Sequence, residues 1–375
     1  MHRYKEQINR IEAFIDDCVK RVNKLNPSKK TVFTISSTAT KKDNISLGPY
    51  TTPIRDFANY SITGCVVYTQ GQALAALQAI NDIVDIVLVD SEKKIPILVD
   101  PEISFLSDEL RSITTGDDKI FSNVETGNLS SVCYEYCKDR EIYSYKANDL
   151  TVDSVFGFIL NDNTKIEKSK ISIIGAGNIG TKLALKFAEV GANVIISRQD
   201  HSKGRQITEA LNLIKPSSTI SEITYCDNIL KACFKSDYII GTTDSSIINW
   251  EHILISNKNV QLIDVGKGAF TKDAIENSIK NNIKITRTDI TPALEGHLEF
   301  LIKQKEYLLN NTGRNKINGM VLVSGGVLGG YEDIVVDNCY TPKCIVGLSD
   351  GCGDIIRNPN KEQRDLLDKV KDFTL

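Results

Sequence analysis

The sequence predicts an α/β fold in which an N-terminal α/β domain precedes a doubly wound parallel sheet. Three observations predict it. Runs of β-branched and apolar residues alternate with helical patterns along most of the chain. One such run, 171–174, leads straight into Gly175-Ala176-Gly177-Asn178-Ile179-Gly180 and then into a helical stripe. At 375 residues with 41% hydrophobic content, the chain is long enough for roughly two to three domains with cores of their own.

Taken in order, residues 1–25 form an amphipathic helix, because Ile8, Ile11, Phe14, Ile15, Cys18, Val19 and Val22 line one face. That face packs on its own domain or on a second copy of the chain, and a homodimer is expected. Residues 31–36 (TVFTIS), 64–68 (GCVVY) and 85–90 (DIVLVD) read as strands, and 72–81 (QALAALQAIN) reads as a helix. Strand, helix and strand at that spacing make a right-handed parallel crossover. A helix over 149–160 follows, with Asn148 or Asp149 as its N-cap. Later strands are expected at 237–242, 260–265 and 283–286. A charged helix then leads into a glycine-rich stretch, Ser324-Gly-Gly-Val-Leu-Gly329-Gly330, read as a tight bend between two strands. The expected domains are 1–155 (substrate and catalysis), 156–300 (nucleotide binding) and 301–375, a segment returning to the N-terminal domain.

Composition excludes several function classes. A net charge of −3 removes the electrostatic footprint of a general nucleic-acid binder. No apolar run approaches the length of a membrane span, and the charged N-terminus has no apolar secretory core. The 9 cysteines are odd in number and scattered, with no C-x-x-C pair, so reduced core thiols in a cytoplasmic protein are expected. Cys339, Cys344 and Cys352 lack a fourth partner at zinc-site spacing, and no metal is expected.

The glycine motif carries the chemistry. Gly175 permits the strand-to-helix turn, and Gly177 lets a pyrophosphate approach the backbone. Gly180 allows close packing of helix on sheet, and the helix N-terminus offers N–H groups to phosphates. This is a dinucleotide-binding, Rossmann-type site, with Asn178 and Ile179 in its first turn. Where an NAD enzyme places a carboxylate at the end of the second strand, this chain has Ser197 and Arg198, with Lys203 nearby. A carboxylate would repel a 2′-phosphate, whereas Arg and a hydroxyl would bind it, so NADP is the expected cofactor. Asp200 dissents, since three positions further on it could serve a ribose. Thr242-Thr243 and Val265-Gly266-Lys267-Gly268 follow later strands and should flank the nicotinamide.

These motifs resemble those of the shikimate dehydrogenase and amino-acid-dehydrogenase-like oxidoreductases, over about residues 168–298 and more loosely before. Methylenetetrahydrofolate dehydrogenase and the dehydrogenase component of dipicolinate synthase share this layout. Ser197-Arg198 resembles their Asn-Arg-Thr motif for NADP. Thr51-Thr52-Pro53-Ile54-Arg55 resembles a Thr-x-Pro-x-Lys substrate motif with Arg in place of Lys. Asp153-Ser-Val-Phe-Gly157-Phe158 resembles Asp-x-x-Gly-Phe with one residue more. The resemblance implies a substrate domain before the nucleotide domain, with Thr52 and Arg55 on the substrate.

Hydride transfer needs a partner that moves a proton. Lys146, Asn148, Asp149 and Asp153 cluster at the expected domain junction. Lys146 with Asp149 or Asp153 forms a candidate relay, its lysine tuned by burial and by the carboxylate, with Lys146 and Asp153 expected to handle the proton, and Asn148 is a candidate substrate contact. His297, shortly after the 283–286 run, is a second acid–base candidate. The expected activity is an NADP-dependent oxidoreductase on a small polar hydroxy, keto or amino substrate. Two alternatives remain open at this point: a lyase or cyclodeaminase with tightly held NAD(P), and a non-catalytic nucleotide sensor.

Overall fold

The computed structural model describes residues 2–37, 48–92, 129–137, 139–162, 165–266 and 268–371, with the side chains of 2–10 excepted. Lys267, named above beside Gly266, lies outside them. The chain divides into two compact units, Met1–Glu295 and Gly296–Leu375.

The first unit opens with helix α1 (His2–Val22), whose Ile11, Phe14, Cys18 and Val22 are buried at the predicted spacing. Strands β1 (Lys30–Ser37), β2 (Tyr50–Asp56), β3 (Tyr60–Val67), β4 (Ile86–Asp90) and β5 (Glu141–Tyr145) form a sheet in the order β2-β3-β1-β4-β5. β3 and β4 both pair parallel to β1, joined through helix α2 (Gln70–Ile80), which is the predicted crossover. β2 is an antiparallel edge strand with a register shift between Thr52 and Arg55, around Pro53. An edge and an irregular ladder are where a proline without an N–H is tolerated. Helix α3 (Leu129–Tyr136) packs with α1 and α2 over a core that includes Phe33, Ile35, Leu74 and Val87.

Helix α4 (Ala147–Asp162) starts earlier than the sequence suggested. Asn148 and Asp149 therefore lie inside its first turn and are not its cap. The Ala147 N–H goes instead to the Asp90 carboxylate at the end of β4, 3.3 Å away. The boundary drawn at 155 falls inside this helix, and Val152, Val155 and Ile159 all pack in the next core along the chain.

That core belongs to β6 (Lys170–Ile174), α5 (Asn178–Glu189), β7 (Asn193–Ser197), α6 (His201–Ile214), β8 (Ile223–Tyr225), α7 (Ile229–Cys233), β9 (Tyr238–Gly241), α8 (Trp250–Leu254), β10 (Gln261–Asp264), α9 (Lys272–Lys280) and β11 (Ile285–Arg287). The described strands run in the order β11-β10-β9-β6-β7-β8, all parallel. This is the doubly wound Rossmann order, with its switch point between β6 and β9.

Helix α10 (Thr291–Asn311) leads into the second unit. There β12 (Gly313–Ile317), β13 (Met320–Ser324), β14 (Tyr331–Val336) and β15 (Ile345–Asp350) form a sheet of their own, followed by helix α11 (Lys361–Lys371). None of these four strands joins either sheet of the first unit. The glycine-rich stretch joins β13 to β14, but the two pair parallel, with Leu322 opposite Ile334. It does join two strands, as expected, but without reversing the chain direction. The chain must travel back along the strand direction, and Gly325 and Gly326 take left-handed φ values of 64° and 83° at its start. No helix among the described residues is long and apolar enough to cross a membrane.

Candidate functional site

Both sheets of the first unit turn their carboxyl ends toward one cleft of about 1850 Å³. The ends of β1, β3 and β5 supply Ser36, Ser37, Val66 and Tyr145. The ends of β6, β7, β9 and β10 supply Ile174, Ser197, Thr242 and Asp264. Ligand sites of open α/β sheets form at such ends because the loops there are free of the ladder.

The nucleotide wall is built largely from backbone. The Gly175 N–H donates to the Ser197 carbonyl at 2.9 Å, and the Thr242 N–H to the Ile174 carbonyl at 2.8 Å. Gly175 has φ +110°, and a Cβ there would lie 2.9 Å from the Thr242–Thr243 peptide. A Cβ on Gly180 would run into the Gly175 carbonyl and the Thr242 hydroxyl. Its absence thus serves the loop and the neighbouring strand end, a more specific role than helix-on-sheet packing. Gly177 is different, since a Cβ there would meet nothing within 4 Å. It caps α5 with no side-chain bond, so no capping side chain occupies the first N–H groups of the helix, and Gly177, Asn178 and Ile179 line the cleft. That combination of open approach and unpaired donors fits a pyrophosphate. On the far side, Val265 and Gly266 donate N–H to the Gly241 carbonyl at 2.9 and 3.0 Å, and Gly266 packs directly on the Thr243 backbone. The two loops expected beside a nicotinamide thus form one surface.

At the end of β7, Ser197 is buried and Arg198 donates through Nη1 to the Ala176 carbonyl inside the glycine loop. Arg198 Nε is buried without a partner. Asp200 caps α6, its carboxylate accepting the Lys203 N–H at 3.0 Å. Lys203 is exposed in the first turn of α6 and does not line the cleft.

The opposite wall consists of side chains. Thr52, Arg55, Lys146 and Asn148 line it, as predicted candidates, together with Tyr50, Glu92 and Tyr145, which carry no motif that would single them out in sequence. Arg55 donates through Nε to Thr291 Oγ1 at 2.9 Å, and Thr291 in turn donates to Asp289 at 2.5 Å. Those bonds, the Thr291 hydroxyl first, hold the Asp289 carboxyl below the usual carboxylate range, with Arg55 adding to the effect. Tyr145 is buried. Burial, with Asp90 nearby, pushes its hydroxyl well above the ordinary tyrosine range, against a hydrogen bond from Ser36. Ser37 Oγ, Thr52 Oγ1 and Thr288 Oγ1 border the cleft as buried hydroxyls without a partner. The rule that ligands sit beyond strand ends finds Ser36, Ser37 and Tyr145 once it is applied to the first sheet as well as the second.

The expected relay divides. Lys146 Nζ lies 3.0 Å from Asp149 Oδ2, and Lys182 of α5 pairs with Asp149 Oδ1. Burial alone would raise the Asp149 carboxyl, but the two lysines outweigh it and hold it below the ordinary range. The Asp149 contact raises Lys146, whose side chain is 55% exposed, so burial does not depress this lysine toward neutrality. Asp153, one turn further along α4, pairs with Lys186 at 2.8 Å and does not line the cleft. Asp149, not Asp153, is therefore the partner the fold brings to Lys146. His297 sits on α10 within the second unit, 6.2 Å from the Phe300 ring centroid, and is not among the residues lining the cleft. No group of acidic, histidine and cysteine side chains suited to a metal ion occurs among the described residues.

Residues 170–259 match the family model described as NADP oxidoreductase, coenzyme F420-dependent. This stretch, β6 through α8, has the fold of an NAD(P) oxidoreductase nucleotide-binding domain. Among solved structures, the chain is similar to a dipicolinate synthase from Bacillus halodurans, at 14% identity over 73% of this chain and 97% of that one, TM-score 0.34. It is similar to a shikimate dehydrogenase in complex with NADP+, at 16% identity over 70% and 86%, TM-score 0.36. It is also similar to ornithine carbamoyltransferase from Pyrococcus furiosus, at 11% identity over 77% and 89%, TM-score 0.38. No curated protein sequence matches.

Proposed function

We propose that this protein is an NADP-dependent oxidoreductase that moves a hydride between its coenzyme and a small polar hydroxy, keto or amino substrate. One observation carries the proposal. A single cleft has an open, donor-rich glycine loop on one wall and hydroxyls with paired charges on the other. A bound nicotinamide would supply or accept the hydride. The α5 N-terminus with Gly175, Gly177, Asn178, Ile179 and Gly180 would hold the pyrophosphate. Thr242, Thr243, Val265 and Gly266 would border the reactive ring and exclude water from it.

Ser197 and Arg198 favour NADP, because no carboxylate stands at the end of β7 and Asp200 is committed to its own helix. Thr52, Arg55 and Asn148 would orient the substrate. Lys146, charged and paired with Asp149, would hold the proton at Nζ and deliver it to the substrate oxygen or nitrogen in the reductive direction. Asp149 would keep that ammonium placed, with Lys182 sharing the carboxylate.

Fluorescence titration with both reduced coenzymes, followed by turnover on a panel of small oxo- and hydroxyacids, tests the reading. NADPH is expected to bind tighter than NADH, and Arg198→Asp should weaken NADPH by roughly 10- to 100-fold while sparing NADH. Equal losses for both coenzymes would refute the role of Arg198. Failure of the wild-type protein to bind either one would refute the function.

A further inference from the structure

The adenosine end of the cleft holds an arrangement that a glycine loop does not require. Tyr225, at the end of β8, donates its hydroxyl proton to the Arg198 carbonyl at 3.1 Å, and the same oxygen lies 2.6 Å from His201 Nδ1. A phenol has one proton to give. With that proton on the Arg198 carbonyl, the contact with His201 requires Nδ1–H to be the donor. The neutral ring then presents a bare lone pair at Nε2, and the protonated ring presents N–H there. Tyr225 is itself held firmly. Its ring packs against Gly204, where a Cβ would collide with it, and the Arg205 guanidinium lies 5.9 Å from the ring centroid. His201 lines the cleft beside Arg198 and Asp200.

We propose that coenzyme choice is proton-linked at His201. The protonated ring donates from Nε2 to a 2′-phosphate, whereas the neutral ring, its tautomer set by Tyr225, accepts from a ribose 2′-hydroxyl. The inference rests on the coenzyme reading above. The surrounding groups are mixed in sign. β8 and the turn after it bring Tyr225, Cys226 and Asp227. The end of β7 brings Arg198, and α6 with its cap brings Asp200, Lys203 and Arg205. Tyr225 acts here as a positioning residue and His201 as a specificity residue.

Calorimetric titration of the full chain with NADPH and with NADH tests this, each run in two buffers of different ionisation enthalpy between about pH 6 and 8. NADPH binding is expected to take up protons and to weaken with rising pH, approaching about tenfold per pH unit at the limit. NADH binding should take up none. His201→Gln should lose the uptake and the tight low-pH binding of NADPH. Tyr225→Phe should keep the low-pH affinity but flatten the pH dependence, because a ring released from the phenol can place its proton on Nε2 while neutral. A pH-independent NADPH-to-NADH ratio in the wild-type protein overturns the proposal and leaves the coenzyme site standing. So does a dependence that survives His201→Gln, because the phosphate's own titration then carries it. Absence of binding by either coenzyme overturns the coenzyme reading and this inference together.

Discussion

The two walls of the cleft are built on different principles. On the nucleotide wall the working atoms are peptide groups, held by main-chain bonds such as Gly175 N–H to Ser197 C=O and Thr242 N–H to Ile174 C=O. On the opposite wall they are side chains drawn from the ends of β1, β2 and β5 and the start of α4. A backbone site needs only a short run with the right glycines, since the strand and helix on either side aim the N–H groups. A side-chain site needs several elements to arrive together. The first therefore tolerates little change at its glycines, and the second little change at its charged pairs.

The largest expected effect comes from the glycines. Gly180→Val places atoms where the Gly175 carbonyl and Thr242 hydroxyl already are. It should abolish coenzyme binding and cost about 3 kcal/mol of stability, read by thermal melting and fluorescence titration. Gly177→Ala has nothing within 4 Å to meet. It should melt as the wild type does yet bind coenzyme about tenfold more weakly, because the new methyl occupies the approach to the phosphates. Unchanged affinity in Gly177→Ala would break the idea of a backbone wall.

Next in size are the charged pairs. Lys146→Ala should lower kcat by about 10²- to 10⁴-fold with coenzyme affinity intact, whereas Asp153→Asn, whose carboxylate pairs with Lys186 away from the cleft, should leave kcat within about twofold. Equal losses from the two substitutions would erase the distinction between them.

A pH effect sharpens the same contrast. The Asp149 carboxyl is held below its ordinary range in the folded chain by two lysines that outweigh burial. Whatever stability it contributes is therefore present above the unfolded carboxylate range and is lost as pH falls through the lower folded value. Asp149→Asn should flatten the acid limb of the melting profile, with no change at neutral pH beyond about 1 kcal/mol. A steeper acid limb in the variant would contradict this pairing.

The smallest effect concerns the sheet behind the substrate wall. The Asp85 carboxylate accepts the Thr31 N–H at 2.8 Å and its hydroxyl at 2.7 Å, tying β1 to the start of β4. Asp85→Asn, at an exposed position, should lower stability by about 1 kcal/mol or less by chemical denaturation, and leave coenzyme binding unaltered.

Legibility follows the same division. The β6–α5–β7 segment is readable because each of its signals is local: an apolar strand, three glycines, a helical stripe and a second strand. The strands at β1, β3, β4, β9 and β10 are readable from β-branched runs. β2 is not, because Pro53 argues against a strand and only an edge position accommodates it. β8 is three residues long and leaves little pattern. The C-terminal sheet escapes a sequence reading because a glycine-rich bend between two strands does not reveal their relative direction, and β13 and β14 run parallel.

What the amino-acid sequence determined by itself is the coenzyme loop and the alternation of strand and helix, because both follow from conformational preferences of neighbouring residues. Which distant lysine meets which carboxylate was decided only in three dimensions. Asp149 and Asp153 lie four residues apart on one helix, and only Asp149 stands at the three-residue spacing that lets it meet Lys146 locally. The packing of α4 against α5 brings Lys182 to Asp149 as a second partner and sends Asp153 to Lys186. An ion pair depends on distance through space, and the chain specifies that distance only after its cores have formed.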